Sequence, residues 1–343
     1  MKVKKLDKAA LDKWVDACIA AGNVHGVKTQ GDRFAFGPLE DGSELRLDYD
    51  VTKLPPKKYF QPQREVLNTF NKEEGFQSVI EDEPVAIFGI HPYDLVAILQ
   101  MDDIFSQDNP DAHYLARREN ATLVACDIAN PSENVFAGSM GTHKIDKGFD
   151  ILITEIEDGY VVDVQTEKGE KLAAPIADAP EASDADLGKR AAVQSANEQD
   201  ANKHRLKPEP KDLPDLLAKA YDHPVWERKA ENCYSCGSCN LVCPTCYCFN
   251  VSDDCDWTFE NVSRKRVWDG CLLSDFAITA GGHNFRRTRA ARYRHRYLRK
   301  GQYVPEKIGG EIACVGCGRC ITACTSFIAN PVEVFNEIAE DSE

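Results

Sequence analysis

Two stretches of this 343-residue chain carry the same cysteine spacing, C-x2-C-x2-C-x3-C. The first is Cys233, Cys236, Cys239 and Cys243; the second is Cys314, Cys317, Cys320 and Cys324. A loop with two-residue gaps wraps three corners of a four-iron, four-sulfur (4Fe–4S) cubane. The fourth corner must be reached from elsewhere, and in paired runs of this kind the fourth thiols are exchanged. The spacing therefore predicts one cluster on Cys233, Cys236, Cys239 and Cys324, and a second on Cys314, Cys317, Cys320 and Cys243. Zinc sites present paired knuckles and would leave thiols idle. Disulfides do not persist in a reducing compartment. One irregularity is that Thr325 follows the second run where Pro244 follows the first. Gly237, Gly316 and Gly318 are expected to let backbone N–H groups approach the cluster sulfides.

Twelve of the fourteen cysteines lie between Cys233 and Cys324. Four of these, Cys246, Cys248, Cys255 and Cys271, fall in the seventy residues between the runs. Cys246 and Cys248 would point to one side of an extended segment. A third cluster on Cys246, Cys248 and Cys271 is expected, with Cys255 or His283 as the fourth ligand. The competing expectation is that these thiols are simply packed, as free cysteines commonly are. Cys18 lies on the apolar stripe of a helix and reads as packing.

The formal net charge is -15, which disfavours nucleic acid or an anionic membrane as partner. The stretch 286–300 nevertheless holds eight Lys or Arg. We read it as a cationic helix beside anionic clusters, with Tyr293 and Tyr297 as an i, i+4 packing pair. The N-terminal residues lack the apolar core of a signal peptide. No apolar run approaches the roughly 20 residues of a membrane span. A cytoplasmic location is expected. Neither a GxGxxG loop nor a P-loop occurs, so no flavin or nucleotide is expected on this chain itself.

Strand-like segments "RFAFG", "SELRLDY", "PVAIFGI" and "ATLVACDI", with a helix in "HPYDLVAILQM", suggest a crossover unit. "FDILITEI" and "GYVVDVQT" flank a hairpin turn at "EDG". The predicted class is α/β or α+β: a mixed α/β domain (1–166), a polar connecting segment (167–215), partly helical and mostly exposed, and a C-terminal ferredoxin-like dicluster domain (216–343) with a large insertion.

The stretches "LPPKKYFQPQREVL", "FGIHPYDLVAILQMD", "YLARRENATLVAC", "SMGT", "CGSCNLVCPTCYC", "RVWDGCLLSDFAITAGGHNFR" and "CVGCGRCITAC" resemble the iron–sulfur subunit family shared by anaerobic sulfite reductases and sulfhydrogenases, in the latter the beta subunit. The resemblance covers nearly the whole chain. It implies an electron-transfer subunit, not itself catalytic. Such a subunit would stand between a terminal catalytic subunit, such as a hydrogenase or a sulfite reductase, and a flavin-containing NAD(P)H-oxidoreductase subunit. The alternative is a cluster- or zinc-stabilised structural or regulatory subunit. Where similar chains carry further cysteines, this one has Tyr93, Val135 and Ala137, leaving Cys126 alone. No N-terminal metal is expected, and that half reads as a docking scaffold.

Overall fold

The computed structural model describes residues 3–309 and 313–342. Its strands are β1 (Lys4–Leu6), β2 (Val24–Gln30), β3 (Arg33–Pro38), β4 (Arg64–Asn71), β5 (Gly75–Ser78), β6 (Val85–Ile90), β7 (Ala121–Cys126), β8 (Ile151–Ile156), β9 (Gly159–Val164), β10 (Phe249–Cys255) and β11 (Asn261–Trp268). Seven of them form one mixed sheet in the order β1-β9-β8-β7-β6-β2-β3. Its centre, β2, β6, β7 and β8, is parallel. The near-continuous apolar runs of β6 and β7 are what strands covered on both faces require. The β8–β9 hairpin turns at Glu157 and Asp158, as its sequence predicts.

Helix α1 (Lys8–Ala21) is capped by the Asp7 carboxylate, which accepts from Ala10 N–H, and buries Leu11, Trp14, Val15 and Cys18. Helix α2 (Pro92–Ser106) follows β6 directly and is nearly all buried in its first two turns. Helix α3 (Ala112–Asn120) then leads into β7, completing the crossover.

The expected strand at "SELRLDY" does not form. Residues 42–44 make a 3-10 turn, and Leu45, Leu47 and Tyr49 are buried at alternate positions without a ladder. The segment meets β2 where the β6 pairing at Val24–Gly26 has ended, with Arg46 N–H donating to the Val27 carbonyl at 2.9 Å, but the chain does not run on alongside it as a strand. Alternation reported burial here, not strand pairing.

A second, four-stranded antiparallel sheet has the order β10-β11-β4-β5. Two of its strands come from the insertion between the cysteine runs and two from the N-terminal half. Arg266 on β11 is buried in this crossing, with Nε 2.7 Å from Glu65 on β4. The polar segment after residue 166 is an ordered wrap. Its helix α4 (Asp184–Asp200) starts at a capping box of Ser183 and Asp186, and Ala173 and Ile176 belong to the main core. Among the described residues no helix is long and apolar enough to cross a membrane. The C-terminal part adds α5 (Arg289–Leu298) and α6 (Pro331–Glu340), which bury Tyr293, Tyr297, Val334 and Phe335.

Candidate metal centres

The cysteines converge on three hollows. The first is lined by Cys233, Cys236, Cys239 and Cys324. The second is lined by Cys243, Cys314, Cys317 and Cys320. Each thus takes three thiols from one run and the last from the other. The fourth cysteines cross because each run ends in one helical turn, Ser238–Leu241 and Arg319–Thr322, which carries the chain past its own loop. The third hollow is lined by Cys246, Cys248 and Cys271.

Two of the expected ligands lie elsewhere. Cys255 ends β10 on the exposed second sheet, paired with Val262. His283 sits in an exposed turn with its ring against Phe285. Neither lines the third hollow. Sequence proximity misled here, because the β10–β11 hairpin carries Cys255 outward to pair with β4.

The second run is locked onto the N-terminal half. Phe136 N–H donates to the Gly316 carbonyl at 2.8 Å, and Thr142, in "SMGT", donates to the Val315 carbonyl at 2.7 Å. A Cβ on Gly316 would sit 2.7 Å from the backbone of Phe136, and one on Gly318 would sit 2.3 Å from the Asn134 carbonyl. These glycines thus serve close backbone packing at positive φ, a reason independent of sulfide approach. The Arg319 guanidinium meets Asp94 of "HPYD" through two 2.6 Å contacts and the Thr52 hydroxyl at 2.8 Å, all buried. Tyr93, Val135 and Ala137 pack with Val315 and Cys317 in one buried cluster, so apolar side chains occupy that place. Cys126 is buried at the end of β7. Cys18 is buried on α1, and desolvation pushes its thiol up to about 12.

Positive charge is buried among these thiols. Arg296 of α5 is 4% exposed and lines all three hollows. Burial opposes its charge, and Cys239, Cys246, Cys320 and Cys243 around it favour that charge when they stand as thiolates. One turn on, buried Lys300 lines the second and third hollows and donates to Thr245 Oγ1 at 2.6 Å. Lys57 of "LPPKKYF" is 3% exposed, donates to the Cys246 carbonyl at 2.6 Å and lies over the Trp268 ring. Meanwhile desolvation pushes the Cys314, Cys317 and Cys320 thiols up to about 12. Buried cations beside neutral thiols are costly. Thiolates bound to iron remove the mismatch, because metal binding takes the protons off. The donor set and its counter-charge therefore fit anionic iron–sulfur clusters.

Sequence reasoning anticipated a cationic helix but not which residues turn inward. It also missed Asn240, inside the first run. Asn240 is 2% exposed; its amide donates to Cys271 Sγ at 3.3 Å, and its carbonyl accepts from Leu272 N–H. An amide between two cysteines of a run was the available signal. The tyrosine pair packs as expected, with ring centroids 4.7 Å apart and Tyr293 donating to the Ile328 carbonyl.

A 4Fe-4S dicluster domain matches residues 232–328. Sulfhydrogenase 2 subunit beta of Pyrococcus furiosus is 34% identical over 341 residues, covering 99% of each chain. No solved structure matches. With both cysteine runs inside the matched domain and the likeness running end to end, the chain belongs to the sulfhydrogenase beta-subunit family of 4Fe–4S electron-transfer proteins.

Proposed function

We propose that this chain is the electron-transfer subunit of a hetero-oligomeric oxidoreductase. It connects a flavin-containing, NAD(P)H-handling subunit with a terminal catalytic subunit. The observation that carries the reading is the set of three thiol-lined hollows sharing one buried guanidinium, Arg296. Cys233, Cys236, Cys239 and Cys324 hold a first cluster; Cys314, Cys317, Cys320 and Cys243 hold a second. Cys246, Cys248 and Cys271 supply three thiolates to a third. When bound, 4Fe–4S clusters accept and release single electrons. The chain's own work is to fix their spacing, exclude water and set the surrounding charge. Residues 1–166 act as the docking scaffold, 167–215 as the connecting wrap and 216–343 as the iron–sulfur domain, with the β10–β11 hairpin reaching back across that division.

Metal analysis of anaerobically prepared protein tests the reading. Two full runs require at least about eight iron atoms per chain, and a third cluster raises this to about twelve. A colourless zinc protein would end the proposal. Cys271→Ser should lose roughly four iron atoms, while Cys255→Ser and His283→Ala should lose none. Equal iron in the Cys271→Ser variant and its parent would return these thiols to packing.

Arg296 gives a second test. A cation beside a cluster favours its more negative, reduced form. Arg296→Gln should therefore lower the midpoint potentials of the clusters in a potentiometric electron-spin-resonance titration, with iron content retained. Potentials unmoved in every cluster would show that Arg296 is only a packing group.

A further inference from the structure

The three hollows differ in how near they come to solvent. Of the cysteines that line them, Cys236 is the exposed one, while Cys233 and Cys239 beside it are buried. The first hollow therefore opens at the surface. Its rim is aromatic: Tyr234 is 74% and Phe327 is 83% exposed. Phe327 stands between Ser326 and Ile328, both of which line the hollow.

This rim is held in an unfavourable backbone. Ser235 and Phe327 have φ of 54° and 55°, in the left-handed region that non-glycine residues avoid. Arg292 holds Ser235 by donating to its hydroxyl at 3.0 Å. Keeping a phenyl ring in water on a strained residue gains nothing for the isolated chain. It is understandable if a second surface covers the ring.

The charge at the rim is opposite to that of the molecule. Arg289 donates to the carbonyls of Glu231 and Cys233, at 3.2 and 3.1 Å. Arg292 donates to the carbonyls of Arg286 and Arg287, at 3.1 and 2.7 Å. These partners are neutral, so the positive charge of the 286–292 segment is not cancelled by them. Arg287 and Arg289 are exposed. In a chain of net charge -15, this basic segment lies beside the one hollow with an exposed thiol, reaching it through Arg289 at the Cys233 carbonyl and Arg292 at Ser235.

We propose that the mouth of the first hollow, formed by Tyr234, Cys236 and Phe327 and flanked by the basic segment of Arg287 and Arg289, is the docking surface for a one-electron carrier protein with an acidic face. Carboxylates around the partner's own redox centre complement that segment, steer encounter and fix orientation. The aromatic rim excludes water where the two centres approach. The inference rests on the cluster reading given above.

The test uses the full, iron-loaded chain and a chemically reduced acidic [2Fe–2S] ferredoxin as probe, with stopped-flow reduction of the chain's clusters followed as salt is varied. The parent's rate should fall about tenfold or more from low to high salt. Arg287→Glu should be about tenfold slower at low salt and nearly salt-independent. Phe327→Gly should be slower at all salt concentrations with full iron, because glycine suits that φ and relieves the backbone. Lys72→Glu, a charge reversal on the second sheet, should match the parent. A parent without iron defeats the cluster reading. Fully loaded Arg287→Glu and Phe327→Gly that are reduced as fast as the parent overturn the docking surface alone.

Discussion

Replacing Cys243 with alanine is expected to empty the second centre and spare the first. Cys243 belongs to the first run by sequence, yet it lines the hollow of Cys314, Cys317 and Cys320. Its neighbour Thr245 donates to the Ala313 carbonyl, tying this stretch to the start of the second run at 2.8 Å. The variant should lose roughly four iron atoms per chain. The electron-spin-resonance signal of the centre on Cys233, Cys236 and Cys239 should persist. Cys324→Ala should give the reciprocal result. Loss of the signal from the variant's own run, in either case, would mean that each run closes on its own cluster.

The second large effect is expected at Asp94. Its carboxylate and the Arg319 guanidinium are 0% and 2% exposed and meet through two contacts. Asp94→Ala leaves a buried cation without its anion, which typically costs about 3–5 kcal/mol. Arg319 sits between Cys317 and Cys320, so the damage should reach the second centre as well. Chemical denaturation of the iron-loaded chain measures the loss. The double replacement Asp94→Leu with Arg319→Met should recover a good part of it, since removing both charges avoids the orphan. A single variant within about 1 kcal/mol of the parent would show that the pair is dispensable.

Arg296 and Asp94 illustrate two ways of burying charge. Asp94 meets its opposite in the polypeptide. Arg296 is placed where thiolates supply the negative charge, so its burial is favourable only once those thiols are deprotonated. Assembly of the centres and consolidation of this part of the fold are thereby coupled.

Much of this protein was written locally. The 3.6-residue stripe of α1, the doubly covered strands β6 and β7, and the β8–β9 hairpin each follow from patterns within a dozen residues. So do the two cysteine runs, because a cubane dictates its own loop spacing. Departures arose where distant segments meet. "SELRLDY" has a strand's alternation, but it touches β2 through Arg46 and the Val27 carbonyl without extending into a ladder. Cys255 counts as a spare thiol by sequence, but the pairing of β11 with β4 carries its hairpin outward. No periodicity announces that Asp94 will find Arg319 across 225 residues, or that Lys57 will reach the Cys246 carbonyl across 189. The sequence alone determined the ligand chemistry, since thiol spacing is a property of short loops. Which thiols share a hollow with which cations was left to tertiary packing, because burial of a charge is decided only when every surrounding segment has been placed.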